Sequence, residues 1–519
     1  MAWLSKLNPT PSFPPYTGPY DVGSVDVEIP ATQITSPSLT PENAPATVAF
    51  RIFYPCRKPT SPTRPVRWIP NPQRGFVSAF ARFLGANSLF ANAISHFPQL
   101  IYHVTIPVHR NADILPAPNS SKRWPMMVFS HGLAGSRNTY SHICGSVASH
   151  GVVVVAVDHR DGSAPVSYIR ATENTKATTV EYIQMEHNDT PEVFSCRNKQ
   201  LKIRLWELGL AHEALLKIDQ GSEGIHNLDS NSFHHRKHDS NDVLSRFENQ
   251  LDVHRPGAIC WAGHSFGGST TVQFVKSTFW RPSEKAEGYE PLFEPDPDSA
   301  LVKQITLSSP VVLLDVWCLP LMSPSTKWLF DKPLPCYAPS GPGGTNLLCI
   351  LSDAFFKWRA HLEKVKHLLS EDPSVDSPKQ TKPGPHFFYP SHSAHLSQSD
   401  FGILFPWITK KALKAEEPER VLRLNTRAIC QILRNTGLEV ADTSEIDREE
   451  QEVEKTMSKD ERGQDWKILA KDGGVRGWIT LDTRLDLEDE GKDGKLTKEI
   501  SKDPADIVGE GEAIGDVRA

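Results

Sequence analysis

The chain contains no run of eighteen apolar residues, no CxxC pair and no surplus of positive charge. The first absence excludes a membrane-spanning helix. The second removes the common zinc and thiol-redox frameworks. The third removes the footprint of a nucleic-acid binder, so no nucleic-acid partner is expected. The opening stretch, MAWLSKLNPTPSFPPYTGPY, lacks an apolar h-region, and Ala2 stands where N-myristoylation needs glycine. The eight cysteines (Cys56, Cys144, Cys196, Cys260, Cys318, Cys336, Cys349 and Cys430) include several in apolar runs. Leu348-Cys349-Ile350 is one, where a thiol reads as a small core residue. These absences predict a reduced, soluble, cytoplasmic protein that meets membranes only peripherally.

What is present is unevenly spread. The net charge is -6, yet residues 441–519 alone hold 23 acidic and 13 basic residues, against 39 and 43 in the remainder. The 441–519 stretch therefore reads as an acidic, mostly disordered tail, with room for a protein partner. Within it only WKILAKDGGVRGWITLD has enough apolar character to pack. Residues 1–45 form a Pro/Ser/Thr-rich N-terminal segment with one strand-like piece, SVDVEIP. ATVAFRIFYP (46–55) alternates as a second strand, and the two predict an antiparallel edge.

Residues 46–440 carry the regular core. PMMVFSHG reads as a short buried strand, and RNTYSHICGSVASHG as a helix ended by Gly151. VVVVAV is a β-branched run of the kind buried on both faces. Residues 197–219 predict a long amphipathic helix. GAICWAG, ITLSSPVVLLD and NLLCILSD supply further strands, with a helix over Phe266–Phe279. Polar insertions interrupt the core at 220–256 and 281–300. Such alternation predicts an α/β fold with a mostly parallel central sheet flanked by helices. Residues 75–103 differ in kind: Phe80, Phe83, Leu84, Leu89, Phe90, Ile94 and Phe97 recur at helical spacing with few charges between them. Two readings stay open there, a core-packing helix pair or lipid-contacting helices.

The chemistry centres on Gly263-His264-Ser265-Phe266-Gly267. A serine on a tight strand-to-helix turn needs small neighbours two residues either side, and its hydroxyl then stands clear of the sheet as a nucleophile. An acyl-transfer site also needs an oxyanion hole. The Phe266 amide is one expected donor. The Leu133 amide, in the loop FSHGLAGS, is the other, with His131 holding that loop. A carboxylate must orient a histidine base, and spacing alone divides that role evenly between Asp315 and Asp353, which both follow strands.

FSHGLAGSRNTYS, SHGVVVVAVDHRDGSA, GHSFGG and LLDVWCLPL together resemble the platelet-activating factor acetylhydrolases of the plasma and intracellular type II kind. GPYDVGSVDVEIP and RFLGANSL are similar too, and the likeness runs from about residue 18 to about 435. The two insertions and the acidic tail depart from the family's usual length. The resemblance implies an α/β-hydrolase fold and a Ser-Asp-His triad. It assigns the nucleophile to Ser265 and the acid to Asp315. The base falls on His395, because HLSQSDF puts an Asp-aromatic pair, Asp400-Phe401, five residues after it. His386 and His392 are then surface or packing residues.

The implied activity is calcium-independent hydrolysis, through an acyl-enzyme, of a short or oxidised sn-2 acyl group on a phospholipid at a membrane or lipid surface, with acetyl as the reference group. No cofactor or metal is required, and the FHHRKH cluster (233–238) reads as a solvated loop. Two alternatives remain: a general carboxylesterase without lipid preference, and a non-catalytic lipid-surface protein on a hydrolase fold.

Overall fold

The structure, a computed structural model, describes residues 10–84, 87–88, 92, 95–96, 100–229, 243–281, 287–375, 380–441 and 475–483. Leu89, Phe90, Ile94 and Phe97, the FHHRKH cluster and most of the acidic tail lie outside these residues.

A ten-stranded sheet organises the chain. In chain order its strands are β1 (Val22–Pro30), β2 (Thr47–Pro55), β3 (His109–Arg110), β4 (Met126–Ser130), β5 (Val153–Val157), β6 (Ile259–His264), β7 (Val311–Leu314), β8 (Leu347–Ile350), β9 (His386–Pro390) and β10 (Trp478–Thr480). Across the sheet they run β10-β9-β8-β7-β6-β4-β5-β2-β1-β3. The stretch from β5 to β9 is parallel throughout. β2 runs antiparallel to β5 and to β1, and β10 runs antiparallel to β9. Eight strands in the order β1-β2-β5-β4-β6-β7-β8-β9, with only β2 reversed, give the α/β-hydrolase sheet.

The helices that matter are α1 (Gln73–Phe83), α2 (Ser141–Ala148), α3 (Pro191–Asp219), α4 (Phe266–Phe279) and α5 (Pro418–Asn435). Successive side chains of a strand point to opposite faces, so the valine run of β5 feeds two cores. Val153, Val155 and Val157 pack with Leu201 and Leu205 of α3 and Val272 of α4. Val154 and Ala156 pack with Ile143 of α2 and Leu422 and Leu433 of α5.

Three sequence expectations need correction. The helix expected over 197–219 starts earlier, at Pro191, where Thr190 Oγ1 accepts the Val193 amide. It is not amphipathic either, since Arg204, Glu207 and His212 are all buried. Its outer side is covered by the N-terminal segment, where the Trp206 indole donates to Ser36 at 3.0 Å. The flanks of the 220–256 insertion belong to the core: Ile225, Val243, Leu244 and Phe247 are buried, and Phe247 meets Tyr54 edge-on at 4.9 Å. ITLSSP does not extend its strand, because Ser309 and Thr306 close a turn before Pro310.

In the tail, the WITLD end of the packable stretch pairs as edge strand β10. Trp478 stacks on Phe388 at 4.9 Å, and Arg476 bonds Glu417 at 2.7 Å. Among the described residues no helix is long and apolar enough to cross a membrane.

Candidate active site

Ser265 sits between β6 and α4 with φ 55° and ψ -119°, a backbone conformation that costs a non-glycine residue about 1–3 kcal/mol. The turn is held there by its own hydrogen bonds. The Ser265 amide donates to Leu314 O at 2.9 Å, and the Trp317 amide donates to Ser265 O at 3.2 Å. The flanking glycines are required sterically. A Cβ on Gly263 would lie 2.2 Å from Gly267 O, and one on Gly267 would lie 1.9 Å from Ser130 O.

Asp315 follows β7 and is fully buried, also at positive φ (42°). One carboxylate oxygen accepts the Ser352 amide, and the other accepts from His395 Nδ1 at 2.9 Å. His395 opens a short turn after β9. Its ring is flanked by Phe355, stacked at 4.6 Å and 5°, and by His264 at 4.4 Å. The rival, Asp353, turns instead to Lys357 at 2.8 Å on its own short helix. His386 lies half-buried within β9 and His392 is exposed. The fold thus brings Ser265, Asp315 and His395 to one end of the parallel strands and leaves the other candidates aside.

The loop after β4 touches the serine: a Cβ on Gly132 would lie 3.0 Å from Ser265 Cβ. Neither the Leu133 nor the Phe266 amide donates to another of the described residues, so both are free for a substrate oxygen. His131 donates from Nδ1 to Gly132 O at 2.8 Å and accepts the His159 amide at Nε2, 3.0 Å. Burial and the Arg204 charge push its pKa well below the usual histidine range, so it is neutral and holds the loop.

Among the described residues, His264, Asp315 and His395 form the one group whose ligating atoms, all within 4.8 Å, could meet at a metal ion. Asp315 and His395 are already bonded to each other, carboxylate to Nδ1, at 2.9 Å. The donor set therefore suits an oriented imidazole better than a metal centre. All eight cysteines are free, and seven of them are buried.

Asp400 contributes more than its place in the motif suggested. Its carboxylate accepts the Trp68 indole at 3.0 Å and the Ser141 and His142 amides at 2.8 and 2.9 Å. It thereby ties the His395 turn to the start of α2. Burial, opposed by these donors, pushes its pKa up from 3.8 to about 7. A carboxyl raised in this way favours the folded state most when protonated, and that stabilisation is lost as the pH rises through about 7. Asp400→Asn is expected to cost about 1–3 kcal/mol through its hydrogen bonds. In urea unfolding, the gap between wild type and variant should narrow from about pH 5 to about pH 8. A gap that widens with pH would refute this account.

Comparison with known proteins follows the geometry. The chain is 27% identical over 460 residues to a putative phospholipase A2 of Schizosaccharomyces pombe, covering 82% of this chain and 92% of that protein. It is 30% identical over 267 residues to the platelet-activating factor acetylhydrolase of Cavia porcellus, covering 50% of this chain and 52% of that one. The Gallus gallus acetylhydrolase is 26% identical over 333 residues, covering 62% and 64%. Among solved structures, a ferulic acid esterase from Streptomyces cinnamoneus aligns over 82% of this chain and 92% of its own, with TM-score 0.44 and 14% identity. The family model for platelet-activating factor acetylhydrolase, isoform II, matches residues 6–457, and the chain belongs to that family.

Proposed function

We propose that this carboxylic ester hydrolase removes short or oxidised acyl groups, acetyl among them, from the sn-2 position of phosphatidylcholine-like lipids through an acyl-enzyme on Ser265. The observation that carries the reading is the 2.9 Å bond between His395 Nδ1 and Asp315, groups 80 residues apart in sequence, beside the strained Ser265 turn. His395 takes the serine proton while Ser265 attacks the ester carbonyl. The tetrahedral oxyanion lies against the Leu133 and Phe266 amides. His395 returns the proton to the departing alcohol, and water then cleaves the acyl-enzyme by the same sequence. Asp315 fixes the imidazole tautomer and stabilises the imidazolium. Each proton and charge has a protein group to meet it, so the chemistry calls for no calcium ion.

A lipid surface as the source of substrate is supported by two exposed apolar groups on adjoining elements. Leu84, after α1, is 42% exposed, and Trp407, on the helix Pro406–Leu413, is 71% exposed. The elements are joined by Phe80, Phe401 and Phe405, packed with Trp68. Lys411 lies over the Trp407 ring at 5.2 Å. An exposed tryptophan beside lysines suits the membrane–water boundary. Leu84→Ser combined with Trp407→Ser is expected to slow hydrolysis of vesicle-borne substrate about tenfold and to leave a water-soluble aryl ester within about twofold. Equal losses on both substrates would favour a general carboxylesterase.

The deciding experiment exposes the protein to a fluorophosphonate probe and then to a 2-acetyl ether phosphatidylcholine. Labelling with phospholipid turnover supports the proposal. Labelling with turnover of aryl esters alone moves it to the general esterase. No labelling at all would leave a non-catalytic lipid-surface protein.

A further inference from the structure

We propose that Arg204 is the positioning residue of the oxyanion hole, one buried guanidinium that holds both donor-bearing segments in register with Ser265. This rests on the hydrolase reading above. The direction of the Leu133 N–H is the direction of the Gly132–Leu133 peptide. Its carbonyl is held by His131 Nδ1 at 2.8 Å and by the Gly135 amide at 3.2 Å. If that peptide turned over, an oxygen would face the substrate oxyanion instead of a donor.

Arg204, on α3, grips the loop on both sides of that peptide. Its Nη2 donates to the His131 carbonyl and to Ser130 Oγ at 3.2 Å. Its Nη1 donates to Ser163 Oγ at 2.7 Å, and the Ser163 carbonyl accepts the Ala134 amide at 2.8 Å. The same side chain reaches the residue that carries the other donor, one peptide beyond its N–H. Nε donates to Thr270 Oγ1 at 2.9 Å, and that hydroxyl donates to Phe266 O at 2.8 Å. The guanidinium carbon also lies 4.6 Å from the centre of the Phe266 ring. The cation is fully buried, with Asp161 at 3.7 Å as its counter-charge.

These contacts use the planar fork of donors that only arginine offers. A lysine ammonium, a single point on a flexible stem, reaches one side or the other. Burial of the charge is offset by the hydrogen bonds made at every nitrogen. Arg204 touches no reacting atom and acts through the backbone it holds.

The test compares wild type with Arg204→Lys and Arg204→Gln, each first checked for folding by circular dichroism. Three quantities are read: kcat and KM for a short-chain ester, the affinity of a trifluoromethyl ketone, and the affinity of an ether analogue of the substrate. The ketone adds to Ser265 and places an oxyanion in the hole, whereas the ether analogue makes none. Arg204→Lys is expected to lower kcat about 10²-fold, on the scale of a lost oxyanion donor, with KM and ether affinity within about threefold. Ketone affinity should fall in step with kcat/KM. Equal losses of ketone and ether affinity would reduce Arg204 to a general structural role, and turnover within about threefold of wild type would dismiss it. Should neither variant fold, Thr270→Val decides. It keeps the shape but removes the Nε acceptor, and it should shift ketone affinity and kcat/KM together while sparing the ether. Wild-type protein that neither labels with fluorophosphonate nor cleaves ester would defeat the hydrolase reading itself, whatever the Arg204 variants do.

Discussion

Ser265→Ala is expected to abolish fluorophosphonate labelling and to cut ester turnover by about a millionfold, with the fold intact. Loss of the nucleophile removes the covalent route entirely. What survives is binding and the oxyanion donors, worth about 10³–10⁴-fold over water. The fold should tolerate the change because the Ser265 hydroxyl caps no helix amide. The strained turn is set by Gly263, Gly267 and the backbone bonds to Leu314 and Trp317, none of which involves the side chain. Stability should therefore change by less than about 1 kcal/mol. The check is mass spectrometry of the probe adduct together with turnover of a short-chain ester. Labelling retained at another residue, or turnover within tenfold of wild type, would move the nucleophile elsewhere.

The strand–turn–helix around Ser265 was legible in the sequence because its requirement is local. Two glycines, an apolar strand before and a helix after are all written within about sixteen residues, and the helix runs over Phe266–Phe279 as expected. The parallel strands were legible for a similar reason. Burial on both faces demands an unbroken apolar run, and β4, β5, β6 and β8 each have one.

The interior of α3 was not legible. Its charges sit at positions where a surface helix would carry them, so 197–219 read as amphipathic. The segments that bury its outer side come from residues 36–37 and 293, far away in sequence. With that side covered, the charges had to find partners inside. Glu207 takes Arg160 at 2.8 Å and His159 at 2.9 Å, and burial pushes its carboxyl up to about 8. Charged residues on a helix flanked by apolar runs were the only available signal, and it does not distinguish solvent from an internal network. The role of Asp400 was hidden likewise. Its spacing to His395 marked the motif, but its partners on α2 are more than 250 residues away.

The choice of acid shows the same limit at the level of a single group. Asp315 and Asp353 follow neighbouring parallel strands, β7 and β8, whose ends lie only about 4.8 Å apart. No spacing rule separates them. The separation is made by direction: Asp315 turns at positive φ toward His395, while Asp353 begins a helix and faces Lys357. Asp315→Asn is therefore expected to lower turnover by about 10⁴-fold with folding retained. The amide keeps the carboxylate's shape and can still accept the Ser352 amide. Its –NH₂ group, however, would meet His395 Nδ1 as a donor and force that nitrogen to accept. The ring proton then sits on Nε2, where it can no longer take the proton of Ser265. Asp353→Asn removes only an ion pair one helical turn long, worth about 0.3–0.5 kcal/mol, and should leave turnover within about threefold. Measuring both variants against one short-chain ester decides the matter. If the two losses were exchanged, the acid would lie after β8, and the His395–Asp315 bond would be structural. If both were large, the base would depend on the Asp353 carboxylate as well as on Asp315.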